Sequence, residues 1–168
     1  RRHVYRDLLL TTPELRDYVS GVILSEETAR QETVQGQNFV EYLTGRGIIP
    51  GIKVDKGLAE IPGTGETYVL GLDGLAERLR HFYGMGFRFA KWRAEFRVQR
   101  NQPGFVAVTR NAEGLANFAK ECQLAGIVPV MESDIVFEGD YSIEQCAEAT
   151  DRVLTQLFEK LGQRHVEL

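Results

Sequence analysis

"GFRFAKWR", residues 86–93, is the stretch on which the reading of the fold turns. Side chains of a strand alternate between its faces, so Phe87, Phe89, Lys91 and Arg93 share one face while Arg88, Ala90 and Trp92 share the other. The rings are therefore expected to point into the interior of the fold, and two cations follow them on the same face at the strand's carboxyl end. The same change recurs in two further runs. In "IIPGIKVDKG" (48–57) Ile49, Gly51, Lys53 and Asp55 lie on one face, and in "IVPVMESD" (127–134) Val128 and Val130 precede Glu132 and Asp134. A single Lys or Arg at a strand end usually marks emergence into solvent. Three strands that turn ionisable at the same end point to a shared pocket, and α/β barrels hold their active sites at that end.

The rest of the chain keeps a strand and helix rhythm. "GVIL" (21–24), "GIKV" (51–54), "FAKW" (89–92) and "VPVM" (128–131) are separated by enough residues for a crossover helix each time, and "HVEL" (165–168) is a candidate fifth strand. Leu72, Leu75, Leu79 and Phe82 fall on one helical face, with Gly84 and Gly86 placed to end it. Leu115, Phe118, Ala119 and Cys122 form a second such face, stopped by Gly126. In the last helix Ser142 and Gln145 have capping-box spacing, Tyr141 and Cys146 that of a hydrophobic staple, and Val153, Leu157 and Leu161 continue the apolar stripe. A first helix is expected over residues 2–10, and "IPGTGETYVLG" (61–71), with Pro62, Gly63 and Gly65, reads as a loop. Neither GxGxxG after a strand nor GxxxxGK[ST] occurs, so the usual nucleotide signals of doubly wound sheets are missing and a barrel gains weight.

Composition bounds the partners. With 168 residues, 43% of them hydrophobic and 26% charged, the chain has the balance of a single soluble globular domain, or of part of a larger barrel. Its net charge of −4 and scattered Lys and Arg argue against nucleic acid as a partner. No apolar run has the length of a membrane span, and the charged start lacks the apolar region of a signal peptide, so the chain reads as cytoplasmic. Cys122 and Cys146 have neither metal-binding nor redox spacing and read as reduced core thiols. His3, His81 and His165 stand alone, so no metal site and no cofactor are expected. Ammonium groups near carboxylates can act as nucleophile or base, and an arginine suits a phosphate oxygen. The residues thus describe an enzyme for a phosphorylated or acidic metabolite.

"GIKVDKG" (51–57), "GLDGL" (71–75), "FAKWR" (89–93) and "GIVPVME" (126–132), in this order, resemble the class I fructose-1,6-bisphosphate aldolases of eukaryotic type. "SGVILSEET" (20–28) and "GTGETYVLGLDGL" (63–75) are similar to that family too. The resemblance implies a (β/α)8 TIM barrel that reversibly cleaves fructose 1,6-bisphosphate to dihydroxyacetone phosphate and glyceraldehyde 3-phosphate through a lysine Schiff base. It implies a cytoplasmic glycolytic lyase without metal or cofactor, commonly a homotetramer, with a sugar phosphate as substrate. By the same resemblance Lys53 and Arg93 bind substrate phosphate, Lys91 assists carbinolamine formation and carbon–carbon cleavage, and Glu132 is the acid/base of Schiff-base formation. Asp134 is expected as a further catalytic carboxylate, since it stands where the family usually has the second carboxylate of Glu-Pro-Glu, one methylene shorter and preceded by Ser133. Asp55 is either a structural ion-pair partner of Lys53 or a supporting catalytic group. Lys56 points away from the pocket face, and Trp92 packs between strand and helices.

The resemblance also implies what these residues leave out. They correspond to strands two to five of the barrel, a single partial domain over 1–168, with the first strand and everything from the sixth strand on lying outside. The Schiff-base lysine has no counterpart in the sequence, so this segment alone is expected to be inactive. The competing expectation is a non-catalytic aldolase-like module that uses the same basic pocket for phosphometabolites or acidic protein segments.

Overall fold

The computed structural model describes residues 1–99, 102–136 and 138–168. Helices α1 (Arg2–Leu10) and α2 (Leu15–Tyr18) lead into strand β1 (Gly21–Leu24), then α3 (Glu26–Ala29) and α4 (Phe39–Gly45). Strands β2 (Ile49–Lys53), β3 (Leu58–Ile61) and β4 (Glu66–Val69) precede α5 (Leu75–Gly84). The remainder is β5 (Phe89–Arg97), α6 (Phe105–Leu124), β6 (Val128–Val136) and α7 (Ile143–Gln163).

β1, β2, β5 and β6 form a parallel four-stranded sheet in chain order. All helices longer than two turns that follow its strands pack on one face. From β5, Ala90, Trp92, Ala94 and Phe96 are buried there. They meet Leu75, Leu79 and Phe82 of α5 and Leu115, Phe118 and Cys122 of α6 in one apolar cluster. The Trp92 ring lies 5.5 Å from that of Phe118, so the tryptophan fills the space between strand and helix as expected. Burial pushes the Cys122 thiol pKa up, consistent with its place in this core. At α7 the capping box of Ser142 and Gln145 is formed, satisfying two otherwise unpaired amides, and Val153, Leu157 and Leu161 bury the predicted stripe.

Among the described residues, the other face of the sheet carries no helix. Phe89 lies across Gly51 of the adjacent β2 and reaches Gly21 of β1 beyond it, and a Cβ at Gly51 would clash with its ring. Glycine on β2 is thus what lets one aromatic side chain floor this face. Ile23, Ile49 and Val128 remain exposed around it. A parallel sheet covered by helices on one face only, with apolar residues on the other, is about half of a (β/α)8 barrel.

Four expectations are corrected. Phe87 does not point to the barrel interior. It precedes β5, is fully buried, and packs edge-on against Phe82 of α5 at 5.7 Å, because the alternation of the strand does not extend back through the turn at Gly86. Residues 61–71 are not a plain loop. They contain β4, which pairs antiparallel with β3, and the glycines that suggested a loop form the turn between the two strands. Leu72 lies outside its helix and is partly exposed, since α5 begins at Leu75 after Gly74 in the left-handed region. "HVEL" is not a strand. Glu167 is held by the Gln123 side chain of α6 instead of the backbone of β6, while Val166 packs into the core.

The hairpin is fastened to α6 by Asn111, one of few buried polar side chains. Its Oδ1 accepts from Val69 N at 3.1 Å, and its Nδ2 donates to the carbonyls of Thr67 at 2.9 Å and Ala107 at 3.1 Å. Leucine at this position has the same branched outline but no hydrogen bonds, leaving the Val69 amide and Thr67 carbonyl without their Asn111 partner. Asn111→Leu is expected to lower stability by about 1–3 kcal/mol. Urea unfolding of parent and variant measures it, and an unchanged midpoint would contradict the fastening.

Candidate active site

The carboxyl ends of β2, β5 and β6 bring the predicted side chains together on the helix-free face. Lys53 is in register with Lys91, and Arg93 with Glu132. Adjacent strands of a parallel pair put registered side chains side by side, so the sequence spacing becomes a cluster. Lys91 forms an ion pair with Glu132 across β5 and β6, and Lys53 forms one with Asp55 two residues on. The Asp55 side chain is only 6% exposed in this pair.

Arg93 is the hub of the carboxylates. Its Nε donates to Asp134 Oδ2 at 2.9 Å and lies 3.6 Å from Glu132 Oε1, while Nη1 is 3.1 Å from Glu95 Oε1. A further contact joins Nη2 to Asp134. The hydrogen bond with Asp134, reinforced by the charges of Glu95 and Glu132, raises the guanidinium pKa above its ordinary value. Asp134 thus engages Arg93, whereas the longer Glu132 spans to Lys91. Glu132 thus bridges Lys91 and Arg93, while Asp134 meets Arg93 alone.

Glu95 belongs to this cluster and the sequence reading did not include it. The signal was available: the alternation that places Lys91 and Arg93 continues to residue 95, and β5 runs on to Arg97. Lys56, expected on the far side, pairs with Glu26 of α3 at 2.7 Å. Arg78 of α5 joins the same carboxylate at 3.2 Å. Burial works against the Glu26 charge, but Lys56 and Arg78 hold its carboxyl below the usual carboxylate range. No local pattern identifies this group, because its members are far apart in sequence and come from two different crossovers of the sheet.

Two ammonium groups, a guanidinium and four carboxylates gather at the C-terminal mouth of a parallel half barrel, the end at which α/β barrels carry their active sites. Comparison with known proteins narrows the class. A family model described as fructose-bisphosphate aldolase class-I matches residues 1–168. A cytosolic fructose-bisphosphate aldolase of Arabidopsis thaliana is 47% identical over 99% of this chain and 43% of its own length. A probable class 1 aldolase of Xanthomonas axonopodis is also 47% identical, over 99% of this chain and 50% of its own. A solved structure of fructose-bisphosphate aldolase from Plasmodium falciparum superposes with a TM-score of 0.95 at 44% identity, covering 98% of this chain and 48% of that one. The chain belongs to the class I fructose-bisphosphate aldolase family. It spans about half the length of the curated relatives it matches.

Proposed function

We propose that these residues form strands two to five of a class I aldolase that reversibly cleaves fructose 1,6-bisphosphate into dihydroxyacetone phosphate and glyceraldehyde 3-phosphate. The observation that carries this reading is the Lys91–Glu132 pair at the mouth, with Lys53 in register beside it. In this chemistry a lysine amine adds to the substrate ketone, and the carbinolamine must lose water before the iminium can accept the electron pair of the breaking carbon–carbon bond. Loss of water needs a positioned acid, and a carboxyl held beside an ammonium can supply and recover that proton. Glu132 has this role. Lys91 stabilises negative charge on oxygen as the carbinolamine forms and as the bond breaks. Lys53 and Arg93 bind phosphate oxygens, Asp55 supports Lys53, and Asp134 orients Arg93.

The imine-forming lysine is assigned to none of Lys53, Lys56, Lys91, Lys120 and Lys160, and we place that role outside these residues. Relatives named as cytosolic support a cytosolic location, and a homotetramer is the assembly to test by sedimentation. Borohydride trapping with dihydroxyacetone phosphate tests the assignment. The 168-residue segment alone should yield no stable adduct, and the complete protein should yield one on a lysine beyond this set. An adduct on Lys91 or Lys53 would overturn the division of roles. A complete protein without any adduct or turnover would favour a non-catalytic module that binds phosphometabolites or acidic protein segments.

A further inference from the structure

We propose that Arg78 is a positioning residue for Lys53 and Asp55, acting through the Val54 carbonyl; the consequence for catalysis rests on the proposed role of Lys53 in substrate binding. Arg78 lies on α5, behind the mouth, and only 22% of its side chain is exposed. Its Nη1 donates to the Val54 carbonyl at 2.9 Å and to Glu26 Oε1 at 3.2 Å, and its Nη2 donates to the Gly71 carbonyl at 2.5 Å. A planar guanidinium with five fixed donors can bridge two carbonyls and a carboxylate at once, which an ammonium on a flexible stem cannot reproduce.

Val54 stands between Lys53 and Asp55, and its carbonyl belongs to the peptide plane that joins Val54 to Asp55, so holding it orients the residue that carries the carboxylate. On one side this residue is anchored by its amide, which donates to the Lys91 carbonyl at 3.1 Å. On the other, the chain is tied where Lys56 N donates to the Leu70 carbonyl at 2.8 Å and Lys56 Nζ reaches Glu26. Rotation of the plane between these ties would swing the Asp55 side chain away from Lys53 without breaking the strand. The Asp55 carboxylate cannot resist that rotation by itself. Its Oδ1 meets Lys53, but its buried Oδ2 has no partner among the described residues. The place of this carboxylate is therefore fixed by the backbone, and Arg78 is the side chain that grips that backbone at the residue in between.

Gly71 fits the same arrangement. Its φ is +124°, and a Cβ there would lie 3.1 Å from Lys56 N and 3.3 Å from the Trp92 ring, so the chain passes close against the segment that Arg78 clamps. Glu26 accepts from the same Nη1 that grips the Val54 carbonyl. Three connections, those following β1 and β2 and the one preceding α5, are thereby locked to the carrier of Lys53.

The test is brief acylation of the protein, with labelling of each lysine read by mass spectrometry in the parent, Arg78→Met, Arg78→Lys and Glu26→Gln. Lys53 labelling relative to Lys120 should rise about two- to fivefold in Arg78→Met, as the ammonium loses its carboxylate, and by less in the other two. A purely structural role for Arg78 would lower the melting temperature with that ratio unchanged, and an unchanged ratio overturns the proposal. Should Arg78→Met fail to fold, the ratios in Arg78→Lys and Glu26→Gln decide it. In steady-state kinetics Arg78→Met should raise KM more than it lowers kcat, and should add little to Lys53→Met, since both act on one contact. Additive effects would sink the link to catalysis. A parent protein that does not cleave fructose 1,6-bisphosphate would remove the functional assignment, while the labelling ratio would still report on the clamp.

Discussion

Lys91→Met is expected to lower kcat for fructose 1,6-bisphosphate cleavage in the complete protein by about 10²- to 10⁴-fold, the range for loss of a positioned proton-transfer or charge-stabilising group. Methionine keeps the length of the stem and removes the ammonium that Glu132 now faces. The fold should tolerate this. Both side chains of the pair keep about a third or less of their surface exposed, at 27% and 35%, and they lie at the rim rather than in the apolar cluster. A partly exposed ion pair contributes only about 0–1 kcal/mol to stability. Loss of rate without loss of fold is thus the expected signature, with KM changed much less than kcat because phosphate binding is assigned to Lys53 and Arg93. Stopped-time assay of triose phosphate formation measures it. A variant with kcat within about threefold of the parent would remove Lys91 from the chemistry.

Trp92→Ala acts through the opposite face of the same strand. Trp92 is 1% exposed and packs against Phe118, so truncation removes a large buried ring and leaves a cavity between β5 and α6. The expected cost is about 3–5 kcal/mol, a large part of the whole stability of a domain of this size. Trp92→Phe retains much of the packing and should cost well under half as much. Because Lys91 and Arg93 flank this residue, collapse of the cavity would also shift their backbone, so the alanine variant should lose activity even at temperatures where it remains folded. Thermal unfolding followed by far-ultraviolet circular dichroism gives the stability. A change in melting temperature no larger than that of a surface substitution would show that the ring is not a keystone of the packing.

Several side chains of the site were legible in the sequence because they depend only on alternation along a strand. Lys53, Asp55, Lys91, Arg93, Glu132 and Asp134 all lie on the predicted face. The same rule, carried two residues further, reaches Glu95. The hairpin was obscured because its turn glycines dominate a short segment, and its second strand is completed by Asn111, more than forty residues away in sequence. Phe87 was misplaced because alternation was extended backward through a turn in which the chain changes direction. Half of the family's barrel was legible by resemblance, and a superposition at TM-score 0.95 bears out that half-barrel fold.

By itself, then, the sequence determined which residues share a strand face, which apolar stripes the long helices bury, and that cations and carboxylates follow apolar residues at the same strand ends. These are local properties, fixed by a two-residue or 3.6-residue period and by caps within one turn. Only the tertiary structure decided which carboxylate meets which cation, that Glu132 bridges Lys91 and Arg93 while Asp134 meets Arg93, and that Arg78 grips the Val54 carbonyl. Those pairings depend on strand register and on three connections converging at one end of the sheet. No spacing along the chain encodes either.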